Sequence, residues 1–265
     1  MSDVRLLIAD VDGTLVDQRK QLTQRSIEVV KKLSDAGILF TVTSGRPPRG
    51  MLMLVQPLGI KIPIAGFNGG AFVNPDMSPL ERHEIDRAAS KPVFDTVLAH
   101  NLDAWVYCDQ GWYLRDPKAP HVDREQQTVQ FPPTVVTSLI PELDRAVKIV
   151  GVSDDLAAVE RAETDIRRDF GKVVSAGRSQ PYYLDVTHPD ANKGFVVRRL
   201  SEMLKIPIEQ IATIGDMPTD VLMFNVSGVS IAMGNASPQV KAQAKFVTAG
   251  NDAEGFALAV EKFIL

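Results

Sequence analysis

Cysteine is almost absent from this sequence: Cys108 is the single one among 265 residues. No disulfide can therefore form within the chain, and a reducing interior is the natural setting for such a protein. Cys108 ends an alternating stretch over residues 104–108, which reads Ala-Trp-Val-Tyr-Cys. We expect it to be a packed strand residue rather than a reactive thiol.

The sequence also lacks an excess of positive charge and any long apolar run. Its formal net charge is −4 and its pI is about 5.6. Nucleic-acid binders usually carry a basic face, so we expect no nucleic-acid partner. No stretch is long enough to span a bilayer. The first apolar run, residues 4–9, is too short for a signal peptide and ends at a carboxylate. We expect a cytoplasmic protein with no membrane partner.

Apolar residues are nevertheless plentiful, at 45% of the chain, which is ordinary for a globular protein. Towards both ends of the chain, short apolar runs alternate with amphipathic stretches, a rhythm typical of a parallel sheet with crossover helices. The predicted strands are residues 4–9, 38–43, 62–65, 211–214 and 229–232. The predicted helices are residues 23–36, 47–58, 195–204, 218–226 and 253–264, with another beginning at Ser237-Pro238.

The middle of the chain has a different pattern. Asp109-Gln110-Gly111 lies between two aromatic-rich runs and predicts a hairpin. Further strands are predicted over residues 146–152, 172–175 and 182–186, with a helix over residues 154–170. We therefore predict an α/β protein whose Rossmann-like parallel-sheet core comprises residues 1–84 and 187–265, with an inserted α+β domain over residues 85–186.

Two carboxylates follow the first predicted strand, in Asp10-Val11-Asp12-Gly13-Thr14-Leu15. Asp10 and Asp12 are two residues apart on an extended chain and point the same way. Gly13 permits a sharp turn that leaves both at the carboxyl edge of the sheet, where open α/β sheets bind ligands. The alternative is a solvated acidic turn without a ligand.

Two further segments offer groups that hold anions. Thr43-Ser44-Gly45-Arg46 follows the second strand and offers a hydroxyl, backbone N–H groups and a guanidinium to phosphate oxygens. Alternatively, Ser44 merely caps the next helix. Asn192-Lys193-Gly194 puts a lysine at a helix N-terminus, against the helix dipole, and a nearby anion would offset that cost. An isolated surface lysine would instead be solvated.

Acidic residues recur after a later strand, in Gly215-Asp216-Met217-Pro218-Thr219-Asp220. A simple N-cap would explain one aspartate but not the repetition of acidic strand ends. If the segments converge, several ionised carboxylates share one cleft with a single lysine, which is costly. Mg²⁺ would relieve that cost, because it prefers oxygen ligands. The four histidines lack zinc spacing, so no zinc site is expected. The expected participants are Asp10, Asp12, Asp216 and Asp220, with Lys193.

With these segments the sequence resembles the haloacid dehalogenase-like (HAD) hydrolase superfamily. More closely, it is similar to the Cof-type phosphatases, which carry a large α/β cap of type IIB inserted after the third strand. The resemblance spans essentially the whole core and includes residues 10–15, 44–46, Asn68-Gly69-Gly70-Ala71, 192–194, 215–216, 233–236 and 251–255.

The resemblance implies a role for each matching residue. Asp10 would be the nucleophile and Asp12 the general acid and base. Ser44 and Lys193 would bind the transferring phosphoryl oxygens. The remaining implied roles are Mg²⁺ binding by Asp10, the Asp12 carbonyl and Asp216, support of the metal by Asp220, and substrate contacts by Arg46, Asn68 and Thr219.

Two positions depart from the family pattern. Thr219 stands where relatives commonly have asparagine in GDxxND; it keeps a hydroxyl donor but loses the reach of the amide. We expect weakened or repositioned contacts and retained catalysis. Gly70 stands before Ala71 where relatives often read Asn-Gly-Ala, which lengthens or loosens that loop.

The resemblance favours a Mg²⁺-dependent phosphatase acting on small phosphate esters, either sugar phosphates or phosphorylated cofactors. A phosphomutase of related fold is an alternative, distinguished by isomerisation without release of phosphate. A non-catalytic phospho-ligand binding protein is another, with Thr219 as its only support. Nothing in the sequence indicates an oligomeric state. Five cap aromatics could stack on a substrate ring but are more often core residues: Trp105, Trp112, Tyr113, Tyr182 and Tyr183.

Overall fold

The computed structural model describes residues 3–108 and 111–265. The strands are β1 Leu6–Asp10, β2 Leu39–Thr43, β3 Ile64–Gly66, β4 Ala71–Val73, β5 Pro79–Arg82, β6 Asp103–Cys108, β7 Gly111–Leu114, β8 Thr134–Val135, β9 Lys148–Val152, β10 Ser175–Gln180, β11 Tyr183–Thr187, β12 Ile211–Gly215, β13 Val229–Ala232 and β14 Phe246–Val247. The α-helices are α1 Gln24–Asp35, α2 Leu52–Val55, α3 Arg87–Ala99, α4 Val122–Val129, α5 Leu156–Phe170, α6 Lys193–Leu204, α7 Val221–Phe224, α8 Pro238–Lys241 and α9 Gly255–Phe263.

The first sheet, called the core sheet, has the strand order β14-β13-β12-β1-β2-β3-β4-β5. Its strands from β14 to β3 are parallel, and β4 and β5 extend it antiparallel. β1 lies in the interior of the sheet, where Leu6 is opposite both Leu39 and Ile211. The predicted α/β class with a parallel-sheet core is confirmed.

Both faces of the core sheet are covered, which explains why β1 is buried along its whole length. Leu7 and Ala9 pack towards α1 and α9 on one face, whereas Leu6 and Ile8 pack towards α6 and α7 on the other. The predicted start of α1 is also confirmed, since the Thr23 side chain accepts a hydrogen bond from the N–H of Ser26.

The second sheet has the order β10-β11-β9-β6-β7-β8 and is mostly antiparallel. Helices α3 and α5 cover one face. The other face, with Trp105, Tyr107 and Tyr183, packs in one cluster with Phe67 of the core-sheet part. Cys108 is buried in this sheet, where burial raises the pKa of its thiol to about 12, so it is the packed strand residue that we expected.

The second sheet draws its strands from residues 103–187, and the core sheet draws on residues before and after them. The boundaries of the inserted domain at residues 85 and 186 remain a proposal. Asp109 and Gln110 of the predicted hairpin turn lie outside the described residues, but Cys108 and Gly111 beside them are antiparallel partners. None of the helices in the described ranges combines the length and apolarity needed to cross a bilayer.

Some predicted elements were wrong in extent. Residues 172–174 of the predicted strand 172–175 are not in a strand, because the N–H groups of Val173 and Val174 both donate to the Phe170 carbonyl in the turn that ends α5. The strand β10 starts only at Ser175. The predicted helices 47–58 and 218–226 begin as 3₁₀ turns, each with a proline in its first turn, and their α-helical parts span four residues.

We predict that Leu33→Ala lowers the free energy of unfolding by about 2–5 kcal/mol, because Leu33 of α1 is fully buried under the core sheet. Equilibrium unfolding in urea measures the effect. Leu258→Ala on α9 is the matched control: this leucine is 37% exposed, so its truncation should cost less. Equal losses would contradict the assignment of Leu33 to the core.

Candidate active site

A cavity of about 430 Å³ lies between the carboxyl edge of the core sheet and the second sheet. We call it the active-site cavity. Segments that are far apart in the sequence meet there because parallel strands end at the same edge. Of the residues predicted from sequence, those that line the cavity are Asp10, Asp12, Ser44, Arg46, Asn68, Lys193, Asp216 and Thr219.

Lys193 lies between two buried carboxylates. Its Nζ donates to Asp10 Oδ1 at 2.5 Å and also to Asp220 Oδ1. Burial lowers the pKa of Lys193, but the charges of Asp10 and Asp220 outweigh it and the net shift is upward. The side chain of Asn192 caps α6 by accepting from the N–H of Phe195, which places Lys193 in the first turn of that helix. The predicted convergence of Lys193 with the acidic strand ends is therefore observed.

The two carboxylate oxygens of Asp10 differ in their hydrogen bonding within the described part of the chain. Its Oδ2 is buried and has no hydrogen-bond partner among the described residues, whereas Lys193 holds Oδ1. Burial raises the pKa of Asp10 well above its usual value, and the charges of Asp220 and Asp216 add to that while Lys193 opposes it. The free oxygen is the one available to a ligand.

Asp216 is held close to the turn after β1. Its Oδ1 accepts from the Thr14 hydroxyl at 3.0 Å, and its Oδ2 accepts from Asn235 Nδ2 at 3.1 Å. Burial and the charge of Asp220 raise the pKa of Asp216 to about 6. Gly13 has φ +83°, and a Cβ there would lie 2.4 Å from Asp216 Oδ2, so this turn requires glycine.

Asp220 organises the same loop from beneath. Its Oδ2 accepts from the backbone N–H groups of Asp216 and Met217, both at 2.8 Å, and its Oδ1 accepts from Lys193. Both oxygens are therefore engaged within the protein. The support of a metal by Asp220, which the family resemblance implies, stays a prediction.

The acidic group at and beneath this end of the cavity fits a hard divalent cation. Asp10, Asp216 and Asp220 each offer a carboxylate oxygen, and these atoms lie within 4.8 Å of one another. Three carboxylates face one ammonium, and Asp10 Oδ2 has no partner within the described chain. An all-oxygen donor set with excess negative charge is the kind of site that Mg²⁺ occupies.

Asp12 lies in the opposite electrostatic setting. Arg46 contacts it through two nitrogens, with Nε 2.7 Å from Oδ2 and Nη2 2.6 Å from Oδ1, and Lys20 Nζ lies 2.6 Å from Oδ1. Burial raises the pKa of Asp12, but the hydrogen bonds and charges of Arg46 and Lys20 outweigh it and lower the pKa overall. No sequence pattern predicted that Lys20 would reach this site.

Ser44 and Asn68 are joined through the backbone beside Asp10. The N–H of Asn68 donates to the Ser44 carbonyl at 2.7 Å, and the N–H of Arg46 donates to the Ser44 hydroxyl at 3.2 Å. The loop turns at Gly69, where φ is +103° and a Cβ would lie 2.9 Å from Val196 on α6. Glycine thus lets this loop approach the helix that carries Lys193.

The second sheet closes the cavity with residues that the sequence did not single out for chemistry. Lys148 Nζ lies 3.5 Å from the Gly45 carbonyl oxygen and 3.3 Å from Asp185 Oδ1.

Among the aromatics that were expected to form the cap core, Trp112 is buried away from the cavity, whereas Trp105 and Tyr183 are buried and also line it. Thr219 is exposed at the rim.

A second group of possible ligands lies away from the cavity. His83, His188 and Asp190 offer atoms within 4.8 Å of one another, which the sequence spacing did not indicate. Both rings already have partners: His83 Nε2 contacts Glu81 at 2.8 Å, and His188 Nδ1 accepts from the N–H of Asp190 at 3.1 Å. We assign no metal to this group.

We predict that Lys193→Met lowers the free energy of unfolding by about 3–5 kcal/mol, because it leaves Asp10 and Asp220 buried without their counter-charge. Urea unfolding in the presence of EDTA measures it. The matched control is Lys31→Met, which breaks an exposed pair with Asp35 and should cost only about 0.3–0.5 kcal/mol. A loss no larger than the control's would show that the buried pairs do not stabilise the fold.

Comparison with known sequences finds phosphatases that match along almost their whole length. A protein of Haemophilus influenzae named a putative phosphatase is 26% identical over 260 residues, covering 97% of each chain. A Bacillus subtilis 5-amino-6-(5-phospho-D-ribitylamino)uracil phosphatase is 26% identical over 287 residues, covering 98% of each chain. These names describe the activities of the relatives.

Solved structures match the fold over the same extent. A haloacid dehalogenase-like hydrolase from Bacteroides thetaiotaomicron superposes with a TM-score of 0.89 at 24% identity, covering 98% of this chain and 100% of that one. A HAD subclass IIB sugar phosphatase superposes with a TM-score of 0.85 at 19% identity, covering 98% and 99%. At these identities the likeness establishes the fold.

The sequence pattern of one family spans nearly the whole chain. The sequence pattern of the haloacid dehalogenase-like hydrolase family matches residues 7–260, from β1 to α9. The match includes all the segments that line the active-site cavity from the core sheet and from the second sheet. The chain therefore belongs to the haloacid dehalogenase-like hydrolase family.

Proposed function

We propose that this enzyme is a Mg²⁺-dependent phosphatase that hydrolyses small phosphorylated metabolites, sugar phosphates or phosphorylated cofactors, through an aspartyl-phosphate on Asp10. One observation carries the proposal: Asp10 presents to a cavity a buried oxygen that has no hydrogen-bond partner among the described residues, beside one lysine and two further carboxylates. Two relatives are named as phosphatases, one of them for a phosphoribityl compound. These names support the assignment of this chain to the phosphatases.

Asp10 is the nucleophile. Lys193 holds its Oδ1, so Oδ2 is the oxygen that attacks phosphorus, and the same ammonium neutralises charge on the phosphoryl oxygens. Asp10, the Asp12 carbonyl and Asp216 would hold Mg²⁺, with Asp220 in support. When bound there, Mg²⁺ supplies positive charge that favours the ionised form of Asp10 and balances the phosphate dianion.

The proton transfers fall to Asp12. As the Asp10 Oδ2–phosphorus bond forms and the ester oxygen–phosphorus bond breaks, Asp12 gives its proton to the leaving alkoxide. Asp12 then takes a proton from the water whose oxygen attacks phosphorus, which releases phosphate and restores Asp10. Because Asp12 donates its proton in the first step, it must be protonated when the substrate is bound.

The partners of Asp12 bear on that requirement. In the ligand-free protein, Arg46 and Lys20 lower the pKa of Asp12 and hold it as a carboxylate. A phosphate dianion in the cavity competes for these cations. Loss of either partner raises the pKa of Asp12, which prepares it to act as the acid.

The remaining predicted residues surround the phosphate. Ser44 is buried beside Asp10 and offers its hydroxyl, and Asn68 offers an amide from the adjoining loop. Thr219 offers a hydroxyl at the rim, where the family commonly has an amide. The inserted domain over residues 85–186 closes the cavity, excludes water and supplies contacts to the leaving group.

We predict that Asp10→Asn lowers phosphate release by at least about 10³-fold while the fold is kept, since the amide is not a nucleophile. Release of inorganic phosphate from a metabolite panel measures activity, and circular dichroism checks the fold. Asp35→Asn, at an exposed position on α1, is the matched control and should retain activity. Full activity in Asp10→Asn would end the covalent mechanism.

We further predict that EDTA abolishes phosphate release and that added Mg²⁺ restores it. Asp216→Asn should raise the Mg²⁺ concentration needed for half-maximal activity by at least about tenfold, because a carboxylate in the oxygen donor set is lost. The same screen is analysed for isomerised sugar phosphates. Activity that ignores Mg²⁺, or isomerisation without free phosphate, would contradict the proposal.

A further inference from the structure

A second buried ion pair faces the active-site cavity from the second sheet. Lys148 on β9 and Asp185 on the adjacent strand β11 both line the cavity, with Nζ 3.3 Å from Oδ1. Their side chains are only 8% and 14% exposed. Strand pairing fixes their positions, since Asp185 is opposite Val150, two residues along β9 from Lys148. The mechanism above gives this pair no part.

The pair reaches the core-sheet side of the cavity. Lys148 Nζ lies 3.5 Å from the carbonyl oxygen of Gly45, which directly follows Ser44. It also lies 5.0 Å from the centre of the Tyr107 ring. The pair is therefore placed beside the phosphate-binding loop, where a substrate's carbon atoms next to the ester would lie.

Asp185 has unused capacity to accept a hydrogen bond. Its Oδ1 is within ion-pair distance of Lys148 but lacks hydrogen-bond geometry, and within the described chain this buried atom has no hydrogen-bond partner. The buried Trp105 Nε1 likewise finds no acceptor there, and Trp105 lines the same cavity. Buried polar atoms without partners are costly and uncommon, so a ligand that supplies both a donor and an acceptor would stabilise this wall.

Hydroxyl groups match this wall better than a second anion does. A hydroxyl both donates, as Asp185 requires, and accepts, as Lys148 and Trp105 require. An anionic leaving group would instead meet Asp185 and Glu125, which accepts from the Tyr107 hydroxyl. Two arginines also line the cavity: Arg178 is already paired with Glu163 at 2.7 Å, and the guanidinium of Arg124 lies over the Tyr182 ring.

We propose that Lys148 and Asp185 form a specificity-determining subsite that binds hydroxyl groups on the carbon atoms next to the phosphate ester. Preferred substrates are then monophosphates of sugars or polyols whose leaving group carries no charge near the ester. The rings of Trp105 and Tyr107 line the same cavity and supply apolar surface next to this pair. This inference rests on the proposed phosphatase function and narrows its substrate class.

Paired substrates that differ only in hydroxyl groups test the subsite. The enzyme with Mg²⁺ is assayed on glycerol 3-phosphate against propyl phosphate, and on ribitol 5-phosphate against pentyl phosphate. We expect kcat/KM to favour the hydroxylated ester by at least about a hundredfold, because a site built to bind hydroxyls rejects the analogue that lacks them. In Asp185→Asn and in Lys148→Met this ratio should fall by at least about tenfold.

A double variant keeps the test valid if a single variant fails to fold. Asp185→Asn leaves Lys148 buried without its counter-charge, whereas Lys148→Met with Asp185→Leu removes both charges, a change that proteins often tolerate. The ratio should approach one in the double variant. The matched control replaces the exposed cap pair, Lys91→Met with Asp95→Asn, and should keep the wild-type ratio.

The outcomes separate the two proposals. A wild-type ratio near one, or an unchanged ratio in the folded double variant, overturns the subsite while the phosphatase activity stands. Absence of Mg²⁺-dependent phosphate release from all four esters and from the metabolite panel overturns the proposed function and the subsite with it. A ratio that falls in the Lys148 and Asp185 variants and not in the control supports the subsite.

Discussion

The site depends on one interaction: the ammonium group of Lys193 is buried between the carboxylates of Asp10 and Asp220 and pairs with both. It joins the start of α6 to the end of β1 and to the loop after β12, three segments that lie far apart in the sequence. Because it engages only Oδ1 of Asp10, the other oxygen is left for a ligand. Because it also holds Asp220, the backbone N–H groups of Asp216 and Met217 can be fixed from below.

The surroundings of the two aspartates in the first motif shift their pKa values in opposite directions. Asp10 is buried with further carboxylates and has a raised pKa, whereas Asp12 contacts two cations and has a lowered one. The residues are two apart in sequence, so the difference comes wholly from their surroundings. An added divalent cation would shift the balance around Asp10, and a bound anion would shift it around Asp12, which suits the separate roles proposed for them.

The core sheet and the second sheet contribute different things to one cavity. The part of the chain that forms the core sheet supplies the carboxylates, Lys193 and the loop of Ser44. Strand pairing fixes the ends of β1, β2 and β12, and Lys193 lies in the first turn of α6. The second sheet supplies a wall of aromatic rings and the pair of Lys148 with Asp185. The two parts are packed together through Phe67 and Tyr107, whose ring centres lie 5.6 Å apart.

The α/β class, most core elements and the meeting of the acidic strand ends with Lys193 were predictable from the sequence, because apolar periodicity and parallel strand ends follow local rules. The 3₁₀ turns that begin at Pro48 and Pro218 and the turn at Val173 were not predictable, because single hydrogen bonds determine the backbone conformation there.

Two sets of contacts were not predictable in this way: Lys20 lies beside Asp12, and Lys148 lies with Asp185 at the cavity. These contacts join loops and strands whose approach depends on packing of the whole chain. A charged side chain on a strand or loop has the same local pattern whether it faces solvent or a site, so the sequence carries no mark of the difference.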